Sequence, residues 1–467
     1  MMAVWSEVPL HALSKDFRID ADYYRPDVLA LRQSIERSNH RVSRLEDVSD
    51  SIINFGAYSL CNNISFTETG VRFITAENIL DGHIDYESAR HIPFEQHQGL
   101  LWKSQVQKGQ VLVAMAARLG YAAVYDQSDC LNSSQDVAKV SLKDHDQTNP
   151  YYVAAFINSR LGRDQLNASQ SGSVQQHTNL GKIKDLQVVI LPRQTQRLIS
   201  EKYLQALSER EKAHALYTQA EGLLLSGLGL GELDLSPTLF YECPFSETQQ
   251  TARLDAEFFQ PAYQRVVDIC SSYKGGAETL DALLESMTNG VECREFVDEG
   301  TPYIRVGDMG KLRIRSSDAV RISQQDASRL SSKIVLRQGD VLTARSGSIG
   351  QACVVTENDE ASILSSHIMR LRPRKECPVL SDCLALFLAT LPGIQQVLKN
   401  GNGGIVPEIS QPFMKRVVVP IIAKRTQKRL SEMIGESLQA EDASRRLLEE
   451  AKRMVEEAVL GGLPGEE

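Results

Sequence analysis

A chain of 467 residues with 42% apolar and 24% charged residues has the balance of an ordinary soluble protein and room for two to four domains, each with its own core. No apolar run approaches the roughly 20 residues that span a bilayer, and Met1-Met2-Ala3-Val4-Trp5-Ser6-Glu7 lacks the basic start and apolar stretch of a signal peptide, so a cytoplasmic protein is expected. The formal net charge of −9 disfavours a generic phosphate binder, but ten acids and four bases between Leu430 and Glu467 account for most of it.

The chain is written twice. Arg18-Ile19-Asp20-Ala21-Asp22-Tyr23-Tyr24-Arg25-Pro26 returns 235 residues later as Arg253-Leu254-Asp255-Ala256-Glu257-Phe258-Phe259-Gln260-Pro261. Each copy then predicts a short helix (27–37, 262–272) and a β-rich region. The latter sets Val71-Arg72-Phe73-Ile74 against Pro302-Tyr303-Ile304-Arg305-Val306, and Gly109-Gln110-Val111-Leu112 against Gly339-Asp340-Val341-Leu342. A helix follows at Tyr152–Ile157 and Cys383–Leu388, then a Gly/Ser/Asn-rich loop at 171–176 and 400–404. A strand ending in Pro192 or Pro420 closes each copy.

After each proline the period changes to about 3.5. Ile199, Tyr203, Ala206, Arg210, Ala213, Tyr217, Ala220 and Leu224 step by fours and threes, and 231 residues later stand Leu430, Ile434, Ser437, Glu441, Ser444, Leu448, Ala451 and Val455. Two long helices are predicted, the first stopped by Gly227 and Gly229 and the second by Gly461, Gly462 and Pro464. Small residues on much of the seam suit an antiparallel pair of helices, with Arg210 and Glu441 meeting near its middle to set register.

Catalytic signatures are missing. The chain has no phosphate-binding G-x-x-x-x-G-K-[ST], no strand-borne G-x-G-x-x-G, no G-x-S-x-G and no H-E-x-x-H. Its eight cysteines form no C-x-x-C pair and its nine histidines no H-x-x-x-H, so no metal site is expected and the thiols are read as reduced and mostly buried. Asn149-Pro150-Tyr151-Tyr152 lacks the second proline of the N-P-P-Y/F motif that holds a flipped base in amino-methyltransferases, and reads as a helix start. What remains is recognition chemistry, since Arg forks onto guanine, and Asn and Gln onto adenine.

In these features the chain resembles the specificity subunit of a Type I restriction-modification system, a bacterial defence enzyme. The carrying residues are Gly70-Val71-Arg72-Phe73-Ile74 and Gly300-Thr301-Pro302-Tyr303-Ile304, Lys108-Gly109-Gln110-Val111-Leu112 and Gln338-Gly339-Asp340-Val341-Leu342, the Asn149-Pro150 helix entry, the glycine loops and the proline-plus-helix endings. The family's P-x-x-E-Q is degraded, to Pro192-Arg193-Gln194-Thr195-Gln196 and Pro420-Ile421-Ile422-Ala423-Lys424.

The resemblance implies an α/β (α+β) fold in an internal pseudo-two-fold repeat: target-recognition domains at 1–193 and 230–424, and long helices at 194–229 and 425–467 forming an antiparallel coiled-coil-like pair. It implies a non-catalytic subunit that binds double-stranded DNA. Each domain would read half of a bipartite, asymmetric site, and about 30 helical residues, or about 45 Å, would set the unread spacer. It further implies docking of two modification subunits that bring S-adenosylmethionine for DNA adenine methylation, with no cofactor in this chain, a motor/nuclease subunit as a further partner, and no membrane. The candidate DNA-binding residues are Arg72, Asn78, Arg118, Gln175, Gln176 and His177 in the first copy, and Arg305, Arg345, Ser346, Ser348, Asn400, Asn402 and Gln411 in the second. Competing readings are a stand-alone DNA methyltransferase or nuclease with an unrecognised site, and an adaptor that does not bind DNA.

Overall fold

The computed structural model describes residues 7–10, 24–55, 63–145, 147–168, 178–231, 233, 235–236, 238–317, 319–331, 334–401 and 408–461. Helices and sheets are mixed, and the chain divides into two compact units, residues 1–211 with 441–467 and residues 212–440.

In the first unit the helix Pro26–Glu36 begins on proline, whose fixed φ suits a first turn, and buries Val28, Leu31 and Ile35. A four-stranded antiparallel sheet runs in the order Ser49–Ile53, Val137–Leu142, Val111–Ala114, Ala122–Val124. A three-stranded sheet runs in the order Arg90–Ile92, Val71–Ile74, Leu131–Ser133, its last pair parallel. Alternation along the strand places Val111 and Val113 in one core with Val153, Phe156 and Ile157 of the helix Pro150–Asn158, and Leu112 and Ala114 in a second with Ile74, Ile79 and Tyr125. Asn149 caps that helix, its side chain accepting from the N–H groups of Tyr151 and Tyr152.

The second unit repeats this order. Its four-stranded sheet is Leu284–Asn289, Ile368–Pro373, Val341–Ala344, Ala352–Val354, and its three-stranded sheet Val320–Ile322, Thr301–Ile304, Ile363–Leu364. Val341 joins the core beneath the helix Ser381–Ala389 and Leu342 the core beside Ile304 and Ile363.

Glutamines at a constant offset fasten each copy. The Gln165 side chain accepts from the Gln187 N–H and donates to its carbonyl, as Gln396 does with Val418. Gln196 accepts from the Asn149 N–H and donates to the Gln147 and Leu191 carbonyls, and Gln427 does the same with Leu380, Pro378 and Ile422. These bonds place Leu191 opposite Ile422 and Pro192 opposite Ala423. The expected pairing of Pro192 with Pro420 is therefore three residues out of register, and the degraded motif keeps its terminal glutamine in both copies, as Gln196 and Gln427.

The long helices span Arg193–Leu228 and Lys424–Leu460. Gly227 lies inside the first rather than stopping it, and Gly229, at φ +73°, ends it in the left-handed conformation glycine permits. Ile199, Tyr203, Ala206, Leu448, Ala451 and Val455 are buried in the first unit's core, and Ala220, Leu224, Leu430 and Ile434 in the second's. In the first unit Ser444 Oγ donates to the Ala206 carbonyl at 2.7 Å and Lys202 Nζ lies 3.2 Å from Glu450, so residue numbers fall along one helix as they rise along the other. Ser437 Oγ donates to the Ala213 carbonyl at 2.7 Å in the second unit. The small residues of the seam let one backbone approach the other closely enough for these serines to bridge them.

The hairpin Ile79–Ile84 docks on both long helices in the first unit. Tyr203 donates to the Gly82 carbonyl at 2.6 Å, and Asp81 Oδ2 lies 2.7 Å from Lys452 Nζ and 2.9 Å from Arg163 Nη2. Gly82 is at φ +79°, and a Cβ there would sit 2.7 Å from a Leu448 methyl. Among the described residues no single helix is long and apolar enough to cross a membrane. The thiols are less buried than expected: Cys270, Cys353 and Cys383 are buried, Cys243, Cys293 and Cys377 half-buried and Cys130 exposed.

Candidate nucleic-acid interface

In both units one hairpin of the four-stranded sheet meets the chain returning from the glycine-rich loop. The first unit's tip, Met115–Tyr121, is closed by the Ala114 N–H donating to the Tyr121 carbonyl at 2.9 Å, and the Thr178 N–H donates to the Met115 carbonyl at 2.9 Å. The second unit's tip, Arg345–Gln351, is closed in the same way at 3.1 Å, and the Ile409 N–H donates to the Arg345 carbonyl at 2.9 Å. Gly350, at φ +95°, is required by packing, since a Cβ there would lie 2.7 Å from Ile394. Arg253 of the repeated opening segment donates Nη2 to the Gly401 carbonyl at 3.0 Å, on the other flank of the second loop. Gln175, Gln176, His177 and Asn402 lie outside the described residues.

Arg118 is exposed on the first tip. The second tip gathers more of the candidates: Arg345 is paired with Glu408, Ser346 Oγ sits 2.6 Å from His367 Nδ1, Ser348 is exposed, and Gln411 follows two residues after Ile409. Other candidates are placed differently. Asn78 is buried and wholly occupied: its Oδ1 accepts from the Thr75 N–H at 2.8 Å, and its Nδ2 donates to the Asp85 carbonyl and to Ser88 Oγ. It caps a turn and has nothing left for a base. Asn400 is likewise buried, donating to the Gln396 carbonyl at 2.8 Å.

Arg72 and Arg305 are not equivalents. Strand pairing places Arg72 opposite His91 and Pro302 opposite Arg321, so the counterpart of Arg72 is Pro302 and that of Arg305 is Thr75. Arg72 Nη1 lies 2.6 Å from Asp129 Oδ2, and Arg305 Nε 3.5 Å from Asp308. Arg118 and Arg345 also occupy different positions on their tips. Among these candidates the arginines do not recur at matching places; the backbone frame does.

On the helix pair, burial pulls Arg210 below the ordinary guanidinium value, and the charges of Glu441, Asp85 and Glu87 oppose that pull. Burial also holds His83, in the docked hairpin, down at about 3, so it is neutral at physiological pH. Glu408 and His367 were invisible as site residues in the sequence, because neither lies in a repeated motif; their place follows only from the tertiary bond between the tip and residue 409.

Residues 38–214 match the family model of the Type I restriction modification DNA specificity domain. The match falls almost wholly within the first unit. No curated protein matches the chain in sequence. Among solved structures it is similar to the Type I restriction-modification S subunit from M. genitalium, at 13% identity over 92% of this chain and 98% of that one, with a TM-score of 0.41. It is also similar to the HsdS subunit from Thermoanaerobacter tengcongensis, at 15% identity over 91% and 97%, with a TM-score of 0.31. At these values the likeness is loose, and the reading below stands on the specificity-domain match and the internal repeat.

Proposed function

We propose that the second unit is a second specificity domain, and that the two units each read one half of a bipartite, asymmetric site on double-stranded DNA. The observation that supports this is the repeat of sheet order, strand by strand, from the unit that carries the specificity-domain match to the unit that lies outside it. On this reading each hairpin tip and its neighbouring loop meet base edges, with Arg118, Gln175, Gln176 and His177 serving one half-site and Arg345, Ser346, Ser348, Asn402 and Gln411 the other. The antiparallel helix pair sets the spacer length and docks two modification subunits, which bring S-adenosylmethionine and methylate adenine. A motor/nuclease subunit is a further partner.

The acidic C-terminal helix suits protein docking better than phosphate contact. The test is to map methylated adenines in a host carrying the chain, the chain deleted, and a variant with one heptad inserted near Arg210 and another near Glu441. A bipartite motif is expected to vanish on deletion, and to return with a longer spacer and unchanged half-sites in the variant. Altered half-sites would refute the helices as a spacer, and methylation indifferent to deletion would refute the whole reading.

A further inference from the structure

We propose that Arg345 and Glu408 act together as the reader of a single G·C base pair in one half-site; this rests on the function proposed above and gives one of its contacts a chemical identity. An arginine offers paired N–H donors to guanine O6 and N7, and a carboxylate accepts from the cytosine N4 amine. Two arginine donors beside one carboxylate acceptor therefore match the acceptor, acceptor, donor order of N7, O6 and N4 on a G·C pair, whereas an A·T pair places its one amine donor between two single acceptors.

The second hairpin tip holds such a pair in place. Arg345 Nη2 is bonded to Glu408 Oε1. Both residues are carried on fixed backbone: the Arg345 N–H donates to the His367 carbonyl at 2.9 Å, its carbonyl accepts from the Ile409 N–H at 2.9 Å, and Ser346 and Glu408 form an antiparallel bridge. His367 Nδ1, 2.6 Å from Ser346 Oγ, braces the same turn. Arg345 Nε is buried, so a base is met through the two Nη groups; the Arg345 side chain is 23% exposed, and Glu408 stays 51% exposed with acceptor capacity to spare.

Half-exposed ion pairs add little to stability, so stability alone is a weak reason for this one. Its electrostatic effect is more telling. With Glu408 beside it, Arg345 attracts phosphate weakly and is favoured only where a base pair supplies two acceptors for the arginine and, next to them, a donor for the carboxylate. In the first unit Met115 occupies the position of Arg345, because its carbonyl accepts from Thr178 as that of Arg345 does from Ile409. The G·C reader is thus confined to one half-site.

The test is selection from randomised duplexes at about 0.15 M salt by the full-length chain, by Arg345→Lys, by Glu408→Gln, and by the double exchange Arg345→Glu with Glu408→Arg. The wild type is expected to select a bipartite site. The two single variants should lose preference at the same one base pair, by about tenfold to a hundredfold, with every other position unchanged. The exchange, which keeps an ion pair, should lose or invert that G·C preference. If the wild type selects a site and the variants select the same one, or if all positions weaken together, the pair is structural or a phosphate contact and the inference falls while the functional reading stands. If the wild type selects no sequence, the functional reading falls and takes the inference with it. Glu408→Gln preserves shape and Arg345→Lys preserves charge, so a folding defect in one does not decide the outcome of the other.

Discussion

On the middle strand of the first unit's sheet Lys139 lies opposite Leu112, and at the same register in the second unit Arg370 lies opposite Leu342. Both are buried cations, yet they are satisfied differently. Lys139 Nζ donates to the Lys103 carbonyl at 3.1 Å, whereas Arg370 reaches the Val335 carbonyl, Ser286 and Thr288. Two residues further along, Gln110 donates to Ser141 in the first unit, and the second has Asp340 gripping Arg372 through two bonds of 2.8 and 2.7 Å. A neutral pair in one copy is an ion pair in the other. The duplicated frame therefore keeps its strand order while polar partners change as sets, because a buried donor or charge without its partner costs more than the whole set contributes.

The largest test of this contrast is Asp340→Ala against Gln110→Ala. Stranding the buried Arg372 guanidinium should cost about 3–5 kcal/mol, and removing the neutral amide only about 1–2 kcal/mol. Denaturant unfolding of the full chain measures both, and equal losses would show that the ion pair is no more than a substitute for the amide.

A smaller effect is expected at Lys139, which burial lowers from 10.5 to about 8. Between those values the unfolded chain binds more protons than the folded one, so stability climbs as pH rises from about 8 to 10.5 and is lowest below pH 8. Lys139→Met should thus raise the unfolding free energy at pH 7 by about 1–2 kcal/mol, with the gain gone near pH 10.5. A gain that does not change with pH would place its origin in packing rather than charge.

The smallest effect should be shared by the two units. Ser444→Ala and Ser437→Ala each remove one hydroxyl bond from a helix seam and should cost about 0.5–1.5 kcal/mol apiece in thermal or denaturant unfolding. Costs that differ by severalfold would mean that the matched seam is not energetically matched.

Much of the fold was legible because its signals are local. The steps of three and four from Ile199 to Leu224 and from Leu430 to Val455 fall on buried residues except at Arg210, Tyr217 and Glu441, which are half-buried, and Asn149-Pro150 marks a helix start with its cap. The glutamine clamps were equally legible, since Gln165 and Gln196 return as Gln396 and Gln427 at the 231-residue offset of the heptad seam, but matching the prolines concealed that register. The candidate interface was far less legible. Asn78 and Asn400 have the residue type of a base reader and are spent on internal bonds, while Glu408 and His367 have no motif and stand at the tip.

The sequence by itself determined that the chain is a duplication, with strands at period two and helices near 3.5, since those periodicities are properties of neighbouring residues and survive without contacts. Which polar side chains are free to meet a partner was decided only by the tertiary structure. A residue's exposure and its hydrogen-bond partners depend on what the fold brings beside it from far along the chain, as with Arg345 and Glu408, 63 residues apart.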